Sequence, residues 1–291
     1  MPAALLVVLA AVLWGTTGTA QELGPDGIDP LVVGWIRLAI GAGGLLLVAR
    51  IRRAARRPMD RTWTLVAVGS IAAYQLTFFG GVRLAGVALG TAVGIGSAPL
   101  WGGLVDRVFL GWRPSPRWLV AAAVAIVGVA FVAGEPGDAD RPALGLTLAV
   151  AAGASYALYA FALQRLAQDG DADRVAATVF TGAAVLLLPV LVIGDTGGLL
   201  SGRGVAMSLH LGIVATTLSY ALFTRGVRDT PVATATLLSL AEPITAVALG
   251  VLVVGEVLEP LSIVGVALVI AGVAVAATSA RPLRRRSRLR A

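Results

Sequence analysis

Glu242 is the side chain with the most chemistry to offer in this sequence. It lies near the middle of an apolar run, residues 232–253, and a charge held in hydrocarbon there costs about 2.5–3.5 kcal/mol on insertion scales. The next residue, Pro243, has no N–H, so the carbonyl of Ser239 is expected to lose its helical partner. A carboxyl beside a freed carbonyl can bind a proton, a cation or an ammonium group. Thr236, Ser239, Glu242 and Thr245 recur every three residues and so share one helix face. The same Glu could equally be a protonated structural group bonded to a neighbouring helix.

Arg37 is the second candidate. It sits six residues into the run 31–49, about 9 Å deep at a rise of 1.5 Å per residue. It could hold a substrate carboxylate or pair with Glu242, or its stem could snorkel to the nearer headgroups. All four tyrosines, Tyr74, Tyr156, Tyr159 and Tyr220, also fall in apolar runs, as do Trp14 and Gln75. Thr216, Tyr220 and Thr224 share a face. Together these side chains could form an aromatic, hydrogen-bonding wall around an organic molecule, or serve as polar glue between helices. His210 is a lone histidine, either pH-sensitive or structural. Trp35, Trp63, Trp112 and Trp118 lie near the ends of runs, where an interfacial aromatic belt is expected.

The elements that must position these groups are membrane helices. Hydrophobic residues make up 57% of the 291, charged residues only 13%, and mean hydropathy is +0.88. A soluble domain is about 45–50% apolar and about 25% charged, so lipid must be the solvent for much of this chain. Apolar runs long enough to cross about 30 Å of hydrocarbon fall at 3–20, 31–49, 63–81, 87–105, 118–134, 143–163, 174–193, 205–224, 232–253 and 261–280. The expected fold is an all-α integral membrane protein with ten transmembrane helices. The first run lacks a basic leader before it, so it reads as a span rather than a cleaved signal. Cys is absent and there is one His, which excludes disulfides and Cys-based metal sites. The sequence shows no cofactor signature and no metal cluster.

Every basic residue is Arg. With Met1 inside, nineteen arginines fall in the cytoplasmic connections and tail, including Arg50, Arg52, Arg53, Arg56, Arg57 and Arg61. Only Arg83, Arg141 and Arg203 fall outside. That asymmetry predicts both termini in the cytoplasm, and it speaks against nucleic acid as a partner. Clusters at 50–57 and 281–290 could bind anionic lipid headgroups; setting topology is reason enough for them. The absence of Lys and Asn, with abundant Ala, Gly and Arg, suggests a GC-rich bacterial source and a plasma-membrane location.

Two stretches match at an offset of 144 residues. Ser97-Ala98-Pro99 and Gly111 correspond to Ala241-Glu242-Pro243 and Gly255, and Gly128 corresponds to Gly272. Leu13-Trp14-Gly15 likewise corresponds to Ser155-Tyr156-Ala157, and Tyr74 with Gly81 to Tyr220 with Gly226. Pro99 and Pro243 are the expected helix breaks. The halves are 1–134 and 143–280, joined by an external connection at 135–142 and followed by a basic tail at 281–291. Each half has five spans, an odd number, so the second must be inverted relative to the first. Inverted repeats with broken helices are the architecture of many secondary transporters, with the site near the midplane.

At these residues the chain resembles the EamA-type transporter family of the drug/metabolite transporter superfamily. The segments that carry the resemblance are Ala11-Val12-Leu13-Trp14-Gly15, Trp35-Ile36-Arg37-Leu38, and Leu238-Ser239-Leu240-Ala241-Glu242-Pro243 running on to Gly255-Glu256. The resemblance implies ten spans in two inverted five-helix halves, and movement of small metabolites or drugs, often as export. Where the family usually has Gly-Glu-Arg after its fourth span, this chain has Gly111-Trp112-Arg113. No P-loop is present, so any energy must come from gradients or a partner, and protons are a candidate coupling ion. A passive facilitator or channel shares the architecture. A membrane enzyme would need intramembrane acids or bases, and the spans offer few.

Overall fold

The computed structural model describes residues 1–134, 141–255 and 257–279. Most of the 135–142 connection, all of the 281–291 tail and Glu256 lie outside the described residues. Among the described residues the chain is all-helical. The first span is α1 (Ala3–Trp14) with α2 (Thr17–Glu22), followed by α3 (Pro30–Ile51) and α4 (Arg61–Ala85). The fourth is divided into α5 (Val87–Gly96) and α6 (Ala98–Leu110), and the fifth is α7 (Pro116–Ala133). The second half opens with α8 (Pro142–Asp169), then α9 (Ala172–Leu186) with α10 (Val190–Ile193). Its eighth span joins α11 (Gly202–Leu209), a π-helical stretch (His210–Leu218) and α12 (Ser219–Val227). The ninth joins α13 (Val232–Leu238), α14 (Ala241–Leu249) and a second π-helical turn (Gly250–Val254), and α15 (Pro260–Ser279) is the tenth.

Nine of these spans are continuous enough in length and hydropathy to cross a bilayer. The fourth is the tenth, broken at Ser97 into pieces of 10 and 13 residues. Local sequence explains the ends. Asp29, Asp60 and Ser115 accept hydrogen bonds from the first turns of α3, α4 and α7, satisfying donors that have no partner inside the helix. Gly111 and Gly255 terminate the fourth and ninth spans at φ 66° and 84°, a left-handed conformation in which a Cβ would be strained.

The inversion is visible in the packing. In the α7–α15 pair, a Cβ on Gly128 would lie 2.7 Å from the Gly265 carbonyl and 2.8 Å from the Val269 nitrogen. A Cβ on Gly272 would meet the Ala121 carbonyl at 2.7 Å and the Ala125 nitrogen at 3.0 Å. Each contact is the other shifted by the repeat. Likewise Gly81 of α4 presses on Gly145 and Ala149 of α8, while Gly226 of α12 presses on Ala3 and Val7 of α1. The fold is therefore two inverted five-helix repeats related by a two-fold axis in the membrane plane. With no hydrophobic drive between helices in lipid, close backbone approach at glycine is what fixes these pairs.

Because backbone atoms cannot move aside, Gly128→Val is expected to cost about 1–3 kcal/mol by overpacking. Thermal unfolding in detergent checks this: the midpoint should fall by several degrees, whereas Gly69→Val, where a Cβ meets nothing within 4 Å, should leave it in place.

The connections at 52–60, 111–115, 170–171 and 228–231 lie on one side of the bundle, called here the Arg-rich face. Those at 23–29 and 194–201 lie on the opposite face.

Candidate functional site

The two broken spans cross at the centre. The fourth breaks at Ser97 and the ninth at Ser239–Leu240, the repeat-related places where Pro99 and Pro243 follow. Pro243 does not leave a free carbonyl, however. The Ser239 carbonyl accepts from the Glu242 N–H at 3.0 Å, a tighter turn that re-satisfies the group, so the expected freed acceptor is absent. What the break does is turn the Glu242 side chain into a cavity.

That cavity has a volume of about 80 Å³. Trp14, Arg37, Tyr74, Gln75, Tyr156, Tyr220, Ser239 and Glu242 all line it, brought from six spans of both halves. It extends past Thr17 and Gln21 of α2 toward the opposite face. Thr17, Gln21, Phe78 and Phe79 are lining residues that hydropathy alone did not single out, because they sit on spans whose rotation it does not define. The repeat-related position to Glu242 is Ala98, which also lines the cavity, so the site is asymmetric.

Arg37 and Glu242 share the cavity, yet none of the ion pairs among the described residues joins them. Two polar atoms of lining residues, Nε of Arg37 and Nε1 of Trp14, are buried without a hydrogen-bond partner. Buried donors are nearly always satisfied, and these two stand at the cavity wall, though Trp118 Nε1 and Ser208 Oγ are unpartnered away from it. Around them the rest is held firmly. The Tyr156 hydroxyl pairs with Ser239 Oγ at 2.9 Å, and Ser239 Oγ donates onward to the Ala235 carbonyl at 3.0 Å. Gln75 Nε2 donates to the Gly34 carbonyl at 3.2 Å, one turn before Arg37. Trp14 packs on Tyr220 at 5.0 Å and edge-on to Tyr156 at 6.2 Å, and Tyr156 leans on Tyr74 at 5.7 Å.

Several expectations are corrected. Tyr159 does not line the cavity; it is fully buried with Phe180 and Phe223, on the Arg-rich side of Tyr156 and Tyr220, where these rings plug the bundle. Thr245, three residues beyond Glu242 on α14, does not line the cavity and packs against Gly15 of the first span. Thr216 and Thr224 serve packing and backbone bonds, Thr216 against Gly41 and Thr224 to the Tyr220 carbonyl at 2.7 Å. His210 is bonded through Nε2 to Thr16 Oγ1 at 2.8 Å. Trp35 is no simple belt residue, because its indole donates to the Ala184 carbonyl at 2.9 Å. Trp118 is buried against Trp112.

Asp106 was expected in a connection, at the end of an apolar run. Instead α6 continues past it and buries it completely. Its Oδ2 accepts from the Ala233 N–H at 2.8 Å while Oδ1 has no partner. On the same face Gln164 donates to the carbonyls of Val227 and Thr230 at 2.8 and 2.6 Å. The buried Asp173 pairs with Arg225 and, at 4.0 Å, with Arg52. The cavity is thus shut off from the Arg-rich face.

The EamA-like transporter family matches residues 1–134 and 143–278. The chain belongs to this family. It is 37% identical over 279 residues to an uncharacterized transporter, YwfM, of Bacillus subtilis, covering 95% of this chain and 94% of that one. It is 30% identical to a protein of Streptantibioticus cattleyicolor described as a probable terminal-alkyne amino-acid exporter, covering 92% and 90%. The threonine/homoserine exporter RhtA of Escherichia coli is 28% identical, over 93% and 89%. A crystal structure superposes with a TM-score of 0.81 at 22% identity, over 96% of this chain and 97% of that one, and so shares the fold. This EamA-like protein is a multi-pass membrane protein, and the names of its relatives are those of transporters and exporters rather than enzymes.

Proposed function

We propose that this protein exports a small zwitterionic metabolite, an amino acid or a close relative, by alternating access. One observation carries the reading: among the described residues a single cation, Arg37, and a single anion, Glu242, line one cavity without pairing to each other. A zwitterion would satisfy both, its carboxylate on the Arg37 guanidinium and its ammonium on the Glu242 carboxylate, with Trp14, Tyr74, Tyr156 and Tyr220 enclosing the side chain. Ammonium over an aromatic face adds to such binding. Two relatives named as exporters of amino acids support the same cargo class.

On this reading the Arg-rich face is cytoplasmic, both termini are inside, and the membrane is a bacterial plasma membrane. The halves 1–134 and 143–280 rock about the central site. Glu242 takes a proton when the ammonium leaves, which couples export to a proton gradient. The cavity extends away from the Arg-rich face, which supports an outward-facing arrangement on this reading.

Counterflow in proteoliposomes tests this. Purified protein with unlabelled amino acid inside should accumulate labelled amino acid from outside, and an imposed pH gradient should change the rate. A pore would give no counterflow. Saturable counterflow of organic cations or carboxylates, with none of amino acids, would remove the zwitterion.

A further inference from the structure

The two crossings of the fourth and ninth spans are related by the repeat, but they are not in the same state. Toward the Arg-rich face, α6 lies directly on α13: a Cβ on Gly102 would come within 2.5 Å of Thr236 Oγ1 and 3.2 Å of Ala233 Cα. Shifted by 144 residues, Gly102 becomes Ala246 and Thr236 becomes Ala92. Those two residues belong to α14 and α5, and both line a groove of about 530 Å³ near the opposite face. One crossing is closed and its counterpart is open.

The closed crossing also holds something its counterpart lacks. Asp106 is 0% exposed and grips the Ala233 backbone N–H, tying the start of α13 to α6. The repeat-related residue is Gly250, which lines the groove and has no side chain to offer. A charge-assisted bond of this kind is about twice as strong as a neutral one. The backbone of the neighbouring Val232 also faces this carboxylate, so the contact is with the first turn of α13.

We propose that Asp106 is the latch of the transport cycle, a positioning residue that holds the Arg-rich side shut. The opposite state forms when its bond to Ala233 breaks, α6 parts from α13, and Ala92 closes on Ala246. Because only one of the two crossings carries the latch, the empty protein rests with the opposite face open. The latch needs a carrier that alternates, but no particular cargo.

The chain contains no cysteine, so paired cysteines report on this motion without background. In the Ala92→Cys/Ala246→Cys protein, reconstituted without substrate, a short thiol crosslinker should join the pair slowly. Asp106→Ala should raise that rate about 10- to 100-fold, the loss expected for one hydrogen bond to a charged group. Asp106→Asn keeps an acceptor but not the charge, and should fall between. Unchanged crosslinking in a folded, inserted Asp106→Ala protein would overturn the latch. If that variant does not insert, Asp106→Asn decides alone: a raised rate supports the latch and an unchanged rate overturns it. A responsive crosslink beside silent amino-acid counterflow would sink the cargo and leave the latch standing.

Discussion

Replacing Glu242 with Gln is expected to raise the half-saturating concentration for a zwitterionic substrate by about 10- to 100-fold and to remove the response to a pH gradient. The carboxylate lines the cavity, where an ammonium would meet it largely stripped of water. A hydrogen bond to a charged group contributes about 1.5–3 kcal/mol, and each 1.4 kcal/mol is a factor of ten in affinity. Gln preserves the volume and an acceptor oxygen, so folding should be unaffected, but it can neither carry the negative charge nor take up a proton. Counterflow with and without an imposed gradient measures both effects. Unchanged pH dependence in the Gln variant would remove Glu242 from coupling and leave it a structural role between helices.

The second large effect is expected at Arg37. Its guanidinium lies in the cavity with Nε unpartnered. Arg37→Met keeps the apolar stem but deletes the charge, and truncating one partner of a buried charge pair costs about 2–5 kcal/mol. Affinity for an amino acid should therefore fall at least about 30-fold. Arg37→Lys should recover only part of it, because a point charge does not reproduce the two-pronged grip on a carboxylate. The decisive comparison is with the corresponding amine, which lacks the carboxylate. It should bind the native protein weakly and lose little more on Arg37→Met. An equal loss for amine and amino acid would mean that Arg37 supports the fold of the cavity rather than the cargo.

Both of these residues were legible in the sequence for one physical reason. A charge inside an apolar run is costly, so its presence there marks either a site or a structural bond. The same logic exposed the tyrosines, Trp14 and Gln75, and the 144-residue offset between Pro-centred segments exposed the inversion. The logic failed at Asp106. An acid at the end of a run looks like the start of a connection, and nothing local says that α13 will present an N–H to it from 127 residues away. It failed again at Tyr159, which hydropathy cannot distinguish from Tyr156. The two are three residues apart on α8, yet only Tyr156 reaches the cavity. Which face of α8 turns inward is set by contacts such as Gly81 against Gly145 and Ala149.

The sequence by itself determined the solvent, the number of spans, the inverted halves and the scarce polar groups, because hydropathy, charge asymmetry and repeats are properties of the chain read in order. Only the tertiary structure decided which of those groups share a cavity, that Arg37 and Glu242 do not pair, that the Ser239 carbonyl is satisfied, and that one crossing is closed while its counterpart is open. Those outcomes depend on the rotation and separation of helices, which small-residue contacts between distant segments fix to within an ångström or two and which no local pattern encodes.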